Sequence, residues 1–334
     1  MIEKDVIIIG GGPAGSSCAM KLREYGLSTL ILDKYEFPRL KLCAGWITPR
    51  VYYLLNMDEY PHGIIEFNKM HIHYYTNKNK EIKFTAKTEQ YSIRRYEFDY
   101  WLLQKSGSDF SVHNVKNIEY IDGFYIIDNQ FKSKFLVGAG GTHCPVYRTF
   151  FKELNPRSKE YQIGALEIEF PYEYEDKDCY LWFCENGLPG YSWYVPKENG
   201  YLNIGLGAFS HRLGDKSLRW HFDYFIEKLK KLGLLKYFDQ EPKGHTYYLR
   251  EAVKKVYYNN ACIIGDSAGL ATKDLGEGIG PAIESGLKAA DWIAFKKDLN
   301  LSDIPDLSIY EFGIKGRMVY YLLKIINLFS FKSN

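Results

Sequence analysis

Charge of one sign is scarce in this 334-residue chain: 43 Lys and Arg against 41 Asp and Glu leave a formal charge of +2. That balance excludes the basic stripe of a nucleic-acid-binding surface. The six cysteines, Cys18, Cys43, Cys144, Cys179, Cys184 and Cys262, lack the paired spacing of a zinc site, since Cys179 and Cys184 have no second pair. No apolar stretch reaches the roughly 20 residues needed to span a bilayer. A secretory signal is not expected either, because an apolar strand begins at once and runs into a glycine-rich loop. Scattered thiols and no signal make the reducing cytoplasm the expected compartment. Neither an internal repeat nor a low-complexity linker is present, so the two domains expected for this length would interleave. Aromatic residues are plentiful at 16%, which a large apolar cavity or a compositional bias of the genome would each explain.

The most specific feature lies at the start. Residues 5–15 read Asp-Val-Ile-Ile-Ile-Gly-Gly-Gly-Pro-Ala-Gly, an apolar strand leading into G-x-G-x-x-G at Gly10, Gly12 and Gly15. A second apolar run, Leu30-Ile31-Leu32, ends at Asp33. Strand, glycine turn, helix, strand and acid in that order form the βαβ dinucleotide fingerprint. Gly10 permits the tight turn, and Gly12 lacks the Cβ that would block a pyrophosphate. Gly15 lets the helix predicted over about 14–25 pack on the strand. The N–H groups of Ala14 and Gly15 then face the phosphates at the positive end of the helix dipole. Asp33 is placed to accept hydrogen bonds from an adenosine ribose.

Further along, residues 64–86 alternate around Thr76-Asn77-Lys78-Asn79-Lys80 and predict a β-hairpin. Phe98, Trp101 and Leu102 predict a helix over 95–106. Short strands are expected over 111–138 and 162–208, and an amphipathic helix over 218–235. A buried strand at 261–264 leads into Gly265-Asp266-Ser267-Ala268-Gly269, followed by a long helix from about 278 to 297. A carboxylate at a strand end can reach a sugar or ribityl hydroxyl, and a glycine-rich helix start can approach a flavin edge by backbone alone. His71 and His73 share a strand face without a third ligand, a pattern of solvated edges more than of metal sites. The last stretch, 308–331, is expected to be helical. There Leu322, Ile325, Ile326 and Phe329 line one face, for which packing on the protein is favoured over peripheral membrane contact.

Together these motifs resemble the flavin-dependent geranylgeranyl reductase family, within the wider group of FAD enzymes that includes aromatic hydroxylases and flavin halogenases. Pro38-Arg39-Leu40-Lys41-Leu42-Cys43-Ala44-Gly45 resembles the family's P-x-x-x-x-C-G-G, with Ala44 for the first glycine. Arg95 to Leu102 resembles R-x-x-F-D-x-W-L, and Tyr191 to Pro196 resembles Y-x-W-x-F-P with Val195 for Phe. Residues 265–280 resemble G-D-A-A-G followed by G-E-G-I. Three departures stand out. Gly140 replaces the aspartate of the hydroxylases' G-A-D-G, Lys273 replaces a proline before G-E-G-I, and no second G-x-G-x-x-G offers a separate NAD(P)H domain.

The resemblance implies an α/β fold: a Rossmann-type FAD-binding domain with a parallel sheet, interleaved with an antiparallel β-sheet substrate domain, and a helical C-terminus. The FAD-binding domain would comprise residues 1–60, 88–160 and 250–300, the substrate domain 61–87 and 161–249, and the C-terminal segment 301–334. FAD would be held by Gly10, Gly12, Ala14, Gly15, Asp33, Cys43, Ala44, Gly45, Ile47, Arg95, Val115, Asp266, Gly278 and Ile279. Arg95 would reach the phosphates or ribityl chain, and Lys41 would pair with a phosphate or stand in solvent. Cys43 would donate a proton or shape the cavity, or simply pack as a small hydrophobe. Tyr191, Trp193 and Pro196 would bind an apolar small-molecule or lipid substrate.

The implied reaction is hydride transfer from reduced flavin to a carbon–carbon double bond of an apolar, isoprenoid-like substrate. An oxygen-using hydroxylase or halogenase, and a non-catalytic flavin or lipid carrier, are the alternatives. NAD(P)H, free reduced flavin and ferredoxin all remain open as electron donors, so an electron-donor protein is one expected partner.

Overall fold

The computed structural model describes residues 1–312, which form two eight-stranded sheets and the helices around them. The chain runs through β1 (Ile2–Ile9), α1 (Pro13–Glu24), β2 (Thr29–Asp33), β3 (Trp46–Ile47) and α2 (Pro49–Leu55). It continues through β4 (Ile65–Tyr75), β5 (Glu81–Ser92), α3 (Arg95–Ser106), β6 (Asp109–Val112), β7 (Ile118–Ile121), β8 (Phe124–Ile127) and β9 (Phe131–Gly138). Next come β10 (Gln162–Pro171), β11 (Cys179–Phe183), β12 (Gly190–Lys197), β13 (Tyr201–Phe209), α4 (Leu218–Lys231) and β14 (Lys243–Tyr248). The last regular elements are β15 (Tyr257–Tyr258), β16 (Ala261–Ile263) and α5 (Ile279–Phe295).

The first sheet has the order β15-β16-β9-β1-β2-β6, with the β7–β8 hairpin hung on β9. β1 pairs in parallel with both β2 and β9, so Val6 to Ile9 are buried and all four are apolar. α1 starts with Pro13 in its first turn, where a missing N–H costs nothing, and lies against α5. A Cβ on Gly286 would come within 2.4 Å of the Ala14 carbonyl, so only glycine allows this close crossing.

The second sheet has the order β14-β10-β13-β12-β11-β4-β5-β3. The hairpin read over 64–86 is present, and its second strand continues to Ser92. Trp46–Ile47 pairs along that continuation, so residues 46–47 and 88–92 lie in this sheet. One pairing departs from the antiparallel expectation: β11 runs parallel to β4. More than 100 residues separate these strands, so no tight turn imposes an antiparallel approach. The helix expected to Leu235 stops at Lys231, because Gly233 takes a left-handed φ of +73° and the Leu234 N–H turns back to the Leu229 carbonyl.

Alternation gives the second sheet two different faces. Leu166, Ile168, Phe170, Tyr194, Leu202, Ile204 and Leu206 pack against Phe222, Phe225, Ile226 and Leu229 of α4. The opposite face carries Ile163, Glu167, Tyr191, Trp193, Lys197, Asn203, Gly205 and Gly207, which are neighbours by register. That face looks toward the loop at 43–45 and the loop at 273–276. The last described residues form a 3-10 turn at Ser308–Phe312, and the helix face at Leu322 to Phe329 lies outside the described residues. Among the described residues no helix is long and apolar enough to cross a membrane.

Candidate flavin site and adjoining cavity

The glycine turn after β1 is packed on one side and open on the other. Gly10 has φ +112° and a Cβ there would meet the Ala139 carbonyl oxygen at 2.4 Å. A Cβ on Gly15 would lie 1.9 Å from the Gly10 carbonyl oxygen, so helix and strand touch through backbone. Gly12 differs: its Cβ direction is open except for Arg39 Nη2 at 3.6 Å. α1 carries no side-chain cap and no acid in its first turn, leaving the Ala14 and Gly15 N–H groups at a positive helix end.

Asp33 is buried at the end of β2. Its Oδ2 accepts the Gly11 N–H at 2.8 Å and its Oδ1 the Tyr35 N–H at 3.0 Å. The carboxylate therefore sets the glycine turn, and each oxygen keeps a second lone pair for a hydroxyl. The His113 N–H donates to the Asp33 carbonyl at 2.7 Å, which ties the loop holding the buried Val115 to the same corner.

Arg95 is committed to a neighbour. Its Nε and Nη2 reach the two Asp99 oxygens at 2.6 and 2.8 Å, both residues buried. The corner's less engaged cation is Arg39, which sequence reasoning passed over as a variable position inside the cysteine motif. Its guanidinium stacks on the Phe37 ring, stands 3.5 Å from Asp99 and overhangs Gly12. Its Nε is buried with no partner. Two arginines facing one aspartate, an orphaned guanidinium nitrogen and a wedge without Cβ atoms fit a pyrophosphate. The signal available in the sequence was a basic residue in the short stretch between Asp33 and Cys43.

The flavin-side loop, Cys43-Ala44-Gly45, is held from the sheet beneath. Gly45 has φ +65°, and a Cβ there would sit 2.1 Å from the Ile93 carbonyl oxygen. Lys197, fully buried, donates to the Ala44 carbonyl, and Asn203 Nδ2 donates to the Cys43 carbonyl at 3.3 Å. Cys43 Sγ accepts the Gly45 N–H at 3.3 Å. Ile47 is buried in an apolar cluster with Val51, Ile279 and Ile283.

Asp266 reaches this region from the far end of the chain. Gly265, at φ +56°, brings its turn so close that a Cβ would lie 3.0 Å from the Ala14 methyl. The Cβ direction of Gly278 ends 3.3 Å from Asp266 Oδ1. Glu277 accepts the Gly280 N–H at 2.8 Å and fixes the start of α5, while burial pushes its carboxyl up to about 7. Lys273, in the proline's place, pairs with Asp306 at 2.7 Å. The glycine turn, Asp33, Asp266 and the starts of α1 and α5 are thus gathered around Ala14, a set of backbone N–H groups and carboxylates that fits FAD.

A cavity of about 330 Å³ lies between the second sheet and the 273–276 loop. Its apolar lining includes Ile163, Phe183, Tyr191, Phe209, Tyr247 and Leu249. The Tyr191 hydroxyl donates to the Leu275 carbonyl, and burial pushes the Tyr191 phenol well above its ordinary value. Of the three residues expected to bind substrate, only Tyr191 lines this space. Trp193 lies two residues along, with its indole N–H spent on Asn203 at 2.7 Å, and the Pro196 carbonyl accepts the Ser92 hydroxyl at 2.7 Å.

The remaining candidates are structural. His71 pairs with Asp178 at 2.8 Å and His73 with Glu81 at 2.8 Å. Among the described residues no group of three or more His, Cys, Asp or Glu could hold a metal ion.

A glycine-turn nucleotide fold, joined to a second sheet with an aromatic-rich cavity between that sheet and the 273–276 loop, defines a flavoprotein oxidoreductase. Residues 5–130 match the FAD dependent oxidoreductase family and residues 160–237 the geranylgeranyl reductase catalytic domain. The chain is 30% identical to an uncharacterized protein of Methanosarcina barkeri, covering 88% of this chain and 75% of that one. It is 24% identical to digeranylgeranylglycerophospholipid reductase 1 of Methanococcoides burtonii, over 86% of this chain and 74% of the relative. The fold is that of a geranylgeranyl bacteriochlorophyll reductase-like protein of Thermoplasma acidophilum, with TM-score 0.75, 22% identity and coverage of 98% and 84%. The chain belongs to the geranylgeranyl reductase family of FAD-dependent oxidoreductases.

Proposed function

We propose that this protein reduces carbon–carbon double bonds of an apolar, isoprenoid-type substrate. The observation that carries this reading is the cavity of about 330 Å³ between the second sheet and the 273–276 loop, where Ile163, Phe183, Tyr191, Phe209, Tyr247 and Leu249 stand together with the polar Asn77, Arg212, Lys273 and Asp274. Bound FAD, once reduced, supplies the hydride; the chain supplies orientation and an aromatic-rich surround. Tyr191 and Tyr247 would clamp a flat unsaturated segment, and Gly207 leaves room for it on the sheet. Cys43, held by Gly45 and Asn203, would stand in the loop that faces the flavin. The phospholipid reductase among the relatives supports a prenyl lipid as the substrate class. The electron donor would be NAD(P)H, free reduced flavin or ferredoxin.

The test is turnover of the flavin-loaded protein with a polyprenyl lipid under anaerobic chemical reduction, followed by mass spectrometry. The expected product gains two hydrogens per double bond. An oxygenated or halogenated product formed only in air would overturn the reading.

A further inference from the structure

The reading above gives the polar residues of the cavity no task. Among the residues that line it, Asn77 and Arg212 are the exposed ones, so these two mark its mouth. Asn77 stands in the turn between β4 and β5, and Arg212 ends the 3-10 turn Ser210–Arg212 that follows β13. A third turn, Glu185–Gly187, ties the rim together. Asn79 and Asn186 exchange two hydrogen bonds of 3.2 Å, and Lys216 Nζ reaches the Asn186 carbonyl at 3.5 Å.

The charges lining the cavity differ in how far they are already engaged. Lys273 pairs with Asp306 at 2.7 Å. Asp274 turns both oxygens onto the backbone: Oδ1 accepts the Leu275 and Ser308 N–H groups, and Oδ2 that of Ile309. Arg212 has no such commitment. Its Nε donates to His211 Nε2 at 3.2 Å, and its guanidinium lies over the Phe209 ring at 4.9 Å. Among the described residues no carboxylate pairs with it, and its two Nη nitrogens have no hydrogen-bond partner. A ring beneath a guanidinium holds the plane while leaving the edge donors for an anion.

We propose that Arg212 reads the head group of the substrate. The phosphoryl oxygens of a prenyl phosphate or prenyl phospholipid would sit on its guanidinium at the mouth, while the unsaturated tail runs inward past Phe183, Tyr191 and Tyr247. This rests on the double-bond reduction proposed above and adds a selection by charge. Charge-assisted bonds to a planar fork favour a phosphoryl group. A neutral prenyl alcohol or quinone with the same tail fills the apolar walls equally well but leaves the cation in water. Because Arg212 is exposed, the discrimination is screened by salt.

The test is equilibrium binding to the FAD-loaded full chain with its flavin oxidised, read by quenching of tryptophan fluorescence. Geranylgeranyl phosphate and geranylgeraniol share a tail and differ in charge. The wild type should bind the phosphate about 10-fold more tightly, with the gap narrowing as salt rises. Arg212→Gln should bring the two affinities within about 2-fold of each other, and Arg212→Lys should recover part of the gap. In turnover the loss should appear in KM more than in kcat, since the head group is remote from the reacting bond. A digeranylgeranyl glycerophosphate and its unphosphorylated glycerol ether, in neutral detergent micelles, separate the two sources of the phosphoryl group. A preference in both pairs admits a membrane lipid, and one in the first pair alone assigns a free prenyl phosphate. Equal wild-type affinities within each pair would overturn the head-group site while leaving the reductase reading standing. So would a preference that survives Arg212→Gln but is lost in Lys273→Gln. Charge-selective binding without reduction would overturn the reductase reading alone.

Discussion

The Lys197 ammonium, with no exposed surface, donates to the Ala44 carbonyl on the flavin-side loop. A strand residue thereby fixes a loop more than 150 positions away, and a Cβ on Gly45 would come within 2.6 Å of the same nitrogen. Lys197→Met keeps the stem but loses the donor, leaving a buried carbonyl unsatisfied. FAD affinity should fall by about 10-fold, equivalent to about 1.4 kcal/mol, measured by flavin fluorescence quenching.

Arg39 is the second lever on the cofactor. A guanidinium aimed at a pyrophosphate forms charge-assisted hydrogen bonds worth about 1.5–3 kcal/mol. Arg39→Ala should therefore raise the FAD dissociation constant by about 10- to 100-fold and flatten its salt dependence. Arg39→Lys should recover only part, because one ammonium cannot replace a planar fork. Unchanged affinity in Arg39→Ala would assign the residue to Asp99 alone.

Cavity filling separates substrate from cofactor binding. Around Gly207 a Cβ would meet only ordinary contacts, 3.5 Å from Ile163 and 3.9 Å from the Tyr247 hydroxyl. Gly207→Leu should fold and keep its flavin while raising KM for long prenyl substrates by about 10-fold or more. A KM unaltered for every chain length would place the substrate elsewhere.

Glu277 links the start of α5 to pH. Its carboxyl sits at about 7 in the fold against 4.5 when free. A group with a raised folded value contributes its stability below about 4.5, and that stability is lost as pH rises through about 7. Glu277→Gln keeps the oxygen that accepts the Gly280 N–H but cannot ionise. Its Tm advantage over the wild type should grow by about 2–4 °C between acid and mildly alkaline buffer. A gap that is constant with pH would contradict the assignment.

The nucleotide half was legible because its constraints are local. Gly10, Gly12, Gly15 and Asp33 sit in one βαβ unit, where strand period, helix start and turn chemistry are all readable over about 30 residues. Asp266 was legible by resemblance, and its approach to Ala14 depends on Gly265. The second sheet was harder. Alternation says that Tyr191 and Trp193 share a face but not that one opens on the cavity while the other tucks beside Asn203. Arg39 was missed because a guanidinium's target depends on packing, here the Phe37 ring and Asp99.

The account's central claim, that a prenyl double bond is reduced in the cavity lined by Tyr191 and Tyr247, is tested most directly by an anaerobic single turnover. Protein loaded with reduced FAD is mixed with a polyprenyl lipid, and the return of the oxidised-flavin absorbance is followed beside the product's mass. Flavin oxidation without oxygen, matched by two hydrogens gained per flavin and slowed in Gly207→Leu, is the predicted result. Flavin that stays reduced with every prenyl lipid until air is admitted would contradict the claim.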